Sequence, residues 1–399
     1  MVLLDPQGDE KFFDEPGSVA YSLSRGEGFA NPYGGPTGPT AHVAPFTPLL
    51  LALFIKVFGG NTDTAWLASR LVACAIISLH AALLPLIAER AGIGRRAGVV
   101  AGALAAIPLF LWLETNGRFE TPYVVLATTL LVSLTAVWLD PKHSRRDTRD
   151  WALLGLGWGV GVLLTPTLLP VLLALLVVGA LPSLSAGRRL TITHGVAALV
   201  GAMLVFVPYS VERSLALRAP LLVRSNFGLE LFISNNDAAH PRFLDNMADS
   251  AVMHRYHPLL RRSEAIKVMN MGEGAYHAML RRQAVDWIAD HPGAFLRLTS
   301  ARFVQFWLPT ANHPVKTVFL ALLTVFGIGW FGRHVRRGDP HVVAARLWLT
   351  AIVAFSLLHY AIQADIRYRY PVQGLFLLAA GAGLVDFARR LRPARAQAR

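Results

Sequence analysis

Cysteine is all but missing: Cys74 stands alone, inside an apolar run. One thiol forms no intramolecular disulfide, and a metal site of several thiolates is excluded. Charge is thin as well, at 16% of residues, against about a quarter in soluble domains. Heptads, fixed-period repeats and low-complexity tracts are lacking. Met1–Leu4 is too short for the apolar region of a signal peptide, which needs about 7 residues or more, so insertion is expected to rest on a later span. Carboxylates are nearly absent from mid-span positions, although His80 is deep. That disfavours an ion-coupled transporter, whose sites gather near the midplane.

What is present is apolar, at 54% of residues, and basic, at net charge +13. The basic residues fall in short clusters between apolar runs, so nucleic acid is not expected as a partner. The fold class expected is an all-α polytopic membrane protein. Runs near the 20 residues a spanning helix needs are Thr64–Ala88, Ala97–Leu113, Thr121–Leu139, Trp151–Thr165, Leu168–Ser185, Thr191–Val211, Val315–Gly332, Ala344–Ile362 and Val372–Ala388. Pro166 and Pro170 bend the fourth and fifth into two short helices. Pro45–Gly59 reads as an interfacial or re-entrant helix. Ser263 is expected to cap a helix running through Glu264–Ala289.

Lys and Arg concentrate in alternate loops, which the positive-inside rule places in the cytoplasm. The opposite set is then outer: the first fifty residues, the turn before Thr121, the Pro166–Pro170 bend, Glu212–Pro314 and "QADIRYRYP". The parts expected are a first outer loop with the acidic motif and interfacial helix (1–63), spans (64–211), a mainly helical outer loop (212–314), C-terminal spans (315–388) and a basic cytoplasmic tail (389–399).

Ionisable residues gather at the outer ends of the spans: Arg70, Glu114, Arg118, Glu120, His359, Asp365, Arg367 and Arg369, with Asp14, Glu15 and His42 in the outer loop. Ionisable residues at membrane depth are costly and tend to face cavities or pathways, so chemistry is expected at the outer membrane interface. Asp14 can serve as a base if burial or Glu15 raises its pKa, and any of these arginines can grip a phosphate. The plainer readings are a helix N-terminus for Asp14-Glu15 and a span anchor for "RYRYP". Histidines 240, 254, 257, 277 and 291 leave a divalent metal open, but no carboxylate is spaced in sequence to complete a site.

The order of motifs resembles the bacterial GT-C membrane glycosyltransferases, in the clan of protein O-mannosyltransferases and lipid A aminoarabinose transferase. The stretches that carry it are "FFDEPGSVAYSLSRGEGF", "APFTPLLLALFIKVFGG", "TNGRFETPYVVLATTLLV", "GLGWGVGVLLTPTLLP", "RSNFGLELFISNN", "SEAIKVMNMGEGAYHAMLRRQAVDWIADHPGAFLRLTSARFVQFW" and "IRYRYPV". The resemblance implies a GT-C-like transmembrane helix bundle with outer-face loop helices, in a bacterial inner membrane. It implies transfer of a hexose or pentose, with inversion, from a polyprenyl-phosphate carrier to a hydroxyl of a glycan, lipid or protein. Asp14 matches the catalytic acidic position and Glu15 its neighbour, while His42, Arg70, Arg118, Glu120, Arg367 and Arg369 would hold substrate or phosphate. No cofactor beyond a possible divalent metal is implied. Two departures stand out. A span normally precedes the acidic loop, and "AHVAP" puts His42 where the aminoarabinose transferases carry an acidic-Lys pair. The rival readings are a flippase for a lipid-linked sugar, a polymerase or ligase using a diphosphate-linked donor, and a non-catalytic scaffold.

Overall fold

The computed structural model describes residues 14–60, 62–107, 120–181, 189–248, 251–310, 314–336 and 338–391. Among them six helices are long and apolar enough to cross a membrane, and strand pairing is limited to two isolated bridges, Ala30 with Pro39 and Arg242 with Ala364. Helices α1 (Glu15–Ser24) and α2 (Phe46–Val57) come first, followed by α3 (Thr62–Arg90) and α4 (Arg95–Ala105). Next are α5 (Thr121–Leu139), α6 (Thr148–Leu164), α7 (Leu168–Ala180) and α8 (Ile192–Leu217).

The long loop folds as α9 (Phe227–Ser234), α10 (Phe243–Asn246), α11 (Val252–Tyr256), α12 (Arg262–Met271), α13 (Glu273–Asp290) and α14 (Pro292–Trp307). The chain ends in α15 (Pro314–His334), α16 (Val342–Ser356), the single turn α17 (Leu358–Ala361), a 3-10 turn (Ile366–Arg369) and α18 (Tyr370–Leu391). The Pro166 bend separates α6 from α7 as expected, leaving helices of 17 and 13 residues. These are shorter than a straight crossing requires, and the expected span Ala97–Leu113 runs beyond the described residues after 107, as Leu168–Ser185 does after 181.

Helix α18 is the axis of the bundle and packs against α3, α4, α5, α15 and α16. Two-thirds of its apolar window is buried, against 22% for α8, which lies at the edge. Its buried run from Val372 to Gly383 is apolar on every side save Gln373, as suits a helix surrounded by other helices. Helices α6 and α8 approach closely through Gly155 and Gly159, four apart, against Ala198 and Ala202. Small residues at this spacing let two backbones meet, and the dispersion contact replaces the hydrophobic drive that lipid does not supply.

The expected single helix from Glu264 is two. Gly272 sits at φ 81°, a conformation that breaks an α-helix, and the chain restarts at Glu273. Ser263 is not the cap; Arg261 holds that position with no side-chain bond. The helices of the long loop share their own apolar core of Leu229, Ile233, Val252, Met253, Val268, Tyr276 and Leu280, which also receives Tyr33 from the first loop.

Candidate active site

The site begins with the residue pair that opens α1. Asp14 is extended (φ −147°, ψ 170°) and its Oδ1 accepts the Gly17 N–H at 2.8 Å, with Pro16 in the first turn. That is the usual chemistry of a helix start, so the plain reading of the pair holds for this oxygen. The carboxylate is nevertheless buried, not solvated.

Glu15, one residue on, turns toward the outer helices, and its Oε1 lies 3.5 Å from His257 Nε2. Glu15, His42 and His257 bring one ligating atom each within 4.8 Å of one another. Burial pushes the Glu15 pKa up; a backbone hydrogen bond and the positive charges of Arg224 and Arg367 pull it down, and Glu120 pushes it up again.

The first loop delivers His42 by a dense set of bonds. Tyr33 Oη is 2.9 Å from His42 Nδ1 and 3.4 Å from His277 Nε2. Arg224 Nε donates to the His42 carbonyl at 2.9 Å. The rings of His42, His257 and His277 then pack with that of Tyr33 at centroid distances of 5.1 to 6.3 Å. Burial keeps all three imidazoles neutral at pH 7, holding His42 well below its ordinary value, His257 at about 4 and His277 at about 3. A buried wall of neutral imidazoles and a phenol offers both donors and acceptors without fixed charge, beside a carboxylate and two guanidinium groups.

The triad invites a cation, and its donor set can be tested. A neutral imidazole holds one proton. His257 Nδ1 accepts the Leu259 backbone N–H at 3.2 Å, which leaves that proton on Nε2, the nitrogen facing Glu15. Binding metal through Nε2 needs the opposite tautomer. As arranged, Glu15 and His257 form a carboxylate–imidazole pair, and the three side chains do not present three lone pairs to one ion.

The other expected residues divide. Arg367 reaches Glu15 electrostatically, is 3.4 Å from Asp365 through Nε, and lies over the Phe243 ring at 4.7 Å. Glu120 opens α5 and its charge also reaches Glu15. Arg369 is placed differently from the expectation. Its buried Nη1 donates to the Trp307 carbonyl at 3.0 Å and to Thr324 Oγ1 at 2.6 Å, and its guanidinium covers Phe376. Arg70 covers Trp66 at 4.7 Å. Glu114 and Arg118 lie outside the described residues. Of the histidines weighed for metal, His257 and His277 join the cluster; His291 stacks on Trp287 instead.

Four neighbours escaped the sequence reading: Tyr33, Arg224, Glu230 and Glu273. Glu230 sits 3.4 Å from Gln363 and its charge reaches His257. The only signal for Arg224, Glu230 and Glu273 was membership of stretches already quoted, "RSNFGLELF" and "MGEGAYHAM", and Tyr33 lies in neither.

Residues 42–211 match the family described as dolichyl-phosphate-mannose-protein mannosyltransferase. No curated protein matches the chain. Among solved structures, the oligosaccharyltransferase AglB of Archaeoglobus fulgidus, in complex with an inhibitory peptide and a dolichol-phosphate, aligns with TM-score 0.52 and 14% identity over 98% of this chain and 48% of its own. An Archaeoglobus fulgidus oligosaccharyltransferase complex with Zn and sulfate aligns with TM-score 0.51 and 14% identity over 96% and 46%. The chain therefore spans about half the length of the structures it matches. The chain thus shares the fold of these oligosaccharyltransferases over nearly all of its length, and residues 42–211 are similar to the mannosyltransferase family.

Proposed function

We propose that the chain transfers a monosaccharide from a polyprenyl-phosphate carrier to an acceptor hydroxyl, with inversion, at the outer face of the membrane. The observation that carries this reading is the half-buried carboxylate of Glu15, set beside the buried Asp14, a wall of neutral imidazoles and the charges of Arg224 and Arg367. An acidic side chain pushed upward by burial suits a base that must accept a proton near neutral pH. The acceptor O–H loses its proton to the Asp14–Glu15 pair as its oxygen attacks the anomeric carbon. The bond from that carbon to the phosphate oxygen breaks from the opposite side, and polyprenyl phosphate leaves. Arg224 and Arg367 offset the charge that builds on it, guanidinium being suited to phosphate. His257 Nε2–H orients Glu15. No metal takes part in these steps.

The mannosyltransferase match and the dolichol-phosphate held by AglB support a lipid-phosphate donor. A diphosphate-linked donor is the second reading, favoured by the likeness to oligosaccharyltransferases. Purified protein in nanodiscs, given isotope-labelled polyprenyl-phosphate sugars and an acceptor extract, decides between them. Asp14→Asn and Glu15→Gln are expected to lower transfer by about 10²-fold or more with the protein still inserted, while a chelator leaves transfer intact. Unchanged transfer in both variants, or sugar translocation with no new glycosidic bond, overturns the proposal.

A further inference from the structure

Glu273 opens α13 and is buried to 2% exposure, 233 and 232 residues from its partners Thr40 and Ala41 and 48 from Ser225. Its Oε1 accepts the Ala41 backbone N–H at 2.8 Å and the Ser225 hydroxyl at 2.5 Å, and its Oε2 accepts the Thr40 hydroxyl at 2.5 Å. Thr40 Oγ1 in turn accepts the His42 N–H at 2.9 Å. The two loops that meet here are also laced directly. Ser225 N–H donates to the Ala41 carbonyl at 2.9 Å, and Arg224 Nε donates to the His42 carbonyl at 2.9 Å. One carboxylate therefore ties the segment that presents His42 to the segment that presents Arg224.

We infer that Glu273 is a positioning residue: it holds His42 and Arg224 in register, so that the site binds the phosphate of a lipid-linked donor. The inference rests on the transferase reading above and deepens it. Nothing in a generic buried ion pair requires this arrangement. All three bonds come from donors, all three donors flank residues of the site, and they belong to segments 40–42 and 224–225 alone. Burial pushes the Glu273 pKa up on balance, and the three donors with the Arg213 charge offset part of that rise. Glutamine is nearly the same shape but ends in an NH2 donor. One orientation sets that donor against the Ala41 N–H; the other turns it to Thr40 Oγ1, which reverses that bond, leaves the Thr40 hydroxyl proton without its carboxylate acceptor and removes the charge. Aspartate keeps the charge but is one methylene short.

The test uses the whole chain in nanodiscs, with polyprenyl phosphate as the probe. Its Kd and the KM and kcat of transfer are measured beside the melting temperature. Glu273→Gln is expected to weaken polyprenyl phosphate binding and raise KM by about 10-fold or more, displacement of a positioning contact by an ångström being worth up to about 10²-fold. Glu273→Asp should recover part of that loss, and Ser225→Ala, which removes one donor only, should show a smaller change of the same kind. Ser225→Ala and Glu273→Asp keep the question answerable should Glu273→Gln fail to fold. A lowered melting temperature with Kd and KM at wild-type values in these variants overturns the inference and leaves Glu273 a packing residue. Wild-type protein that binds no polyprenyl phosphate overturns the transferase reading, and this role with it.

Discussion

Asp14 and Glu15 are neighbours in the chain with different work to do. The residue before a helix turns its side chain back onto the first turn, and the residue after it projects outward, so one carboxylate caps α1 and the other meets His257. The cap at Asp14 was legible in the sequence because it is local; the partner of Glu15 comes from the long loop and was not. "RYR" misled for an equally local reason. In a 3-10 turn, with three residues per turn, positions two apart point to different sides. Arg367 thus faces Glu15 while Arg369 is bound into Trp307 and Thr324. The neutral histidines give a pH prediction. A group whose folded pKa is depressed lends stability above its ordinary value of about 6.5, and that stability is lost as pH falls through the folded value. His257 at about 4 and His277 at about 3 should each cost on the order of a few kcal/mol between pH 6.5 and 4. Glu15, raised, acts in the opposite sense and softens the loss. Melting curves in detergent from pH 7.5 to 4 should fall steeply below 6.5, and His277→Gln should flatten them; a flat wild-type curve counts against buried neutral imidazoles.

At the scale of elements, apolar run length located the spans, and two proline positions located the α6–α7 bend. The break at Gly272 was not legible, since a glycine within a helical pattern is often tolerated and only its φ of 81° decides. The placements of Arg224 and Glu273 were beyond local reading too, because their partners are 182 and 233 residues away. A second prediction belongs to the α6–α8 seam. A Cβ on Gly159 would meet the Ala202 carbonyl at 2.5 Å and Val205 Cβ at 2.6 Å, whereas Gly329 on α15 has nothing within 4 Å. Gly159→Val should destabilise the protein by about 1–3 kcal/mol through overpacking, and Gly329→Val by little. Thermal unfolding of the two variants side by side checks this, and equal melting temperatures would show that the helices have room to part.

Over the whole molecule, alternating loop charge sets which end of the bundle faces out, and that orientation is open to a direct test. Replacing Cys74 by Ser removes the lone thiol, after which Ser263→Cys and Ser144→Cys report from exposed positions on the long loop and the basic loop after α5. A membrane-impermeant maleimide should label position 263 in intact spheroplasts and position 144 only after permeabilisation. The reverse pattern would place the site on the cytoplasmic face and exclude the outer-face reading.

The axial place of α18 bears on how such a molecule is made. It is the most enclosed of the long spans, and it follows every other described span in the chain. During synthesis the earlier spans therefore stand around an axis not yet filled. Small-residue seams such as α6–α8 can close early. The groove that α18 will occupy has only lipid or insertion machinery to cover it until then. Arg367 enters with that same segment, and Glu273 not long before it. A nascent chain arrested ahead of this segment would hold the acidic loop without Arg367, so the charge beside Glu15 is complete only once the bundle is filled.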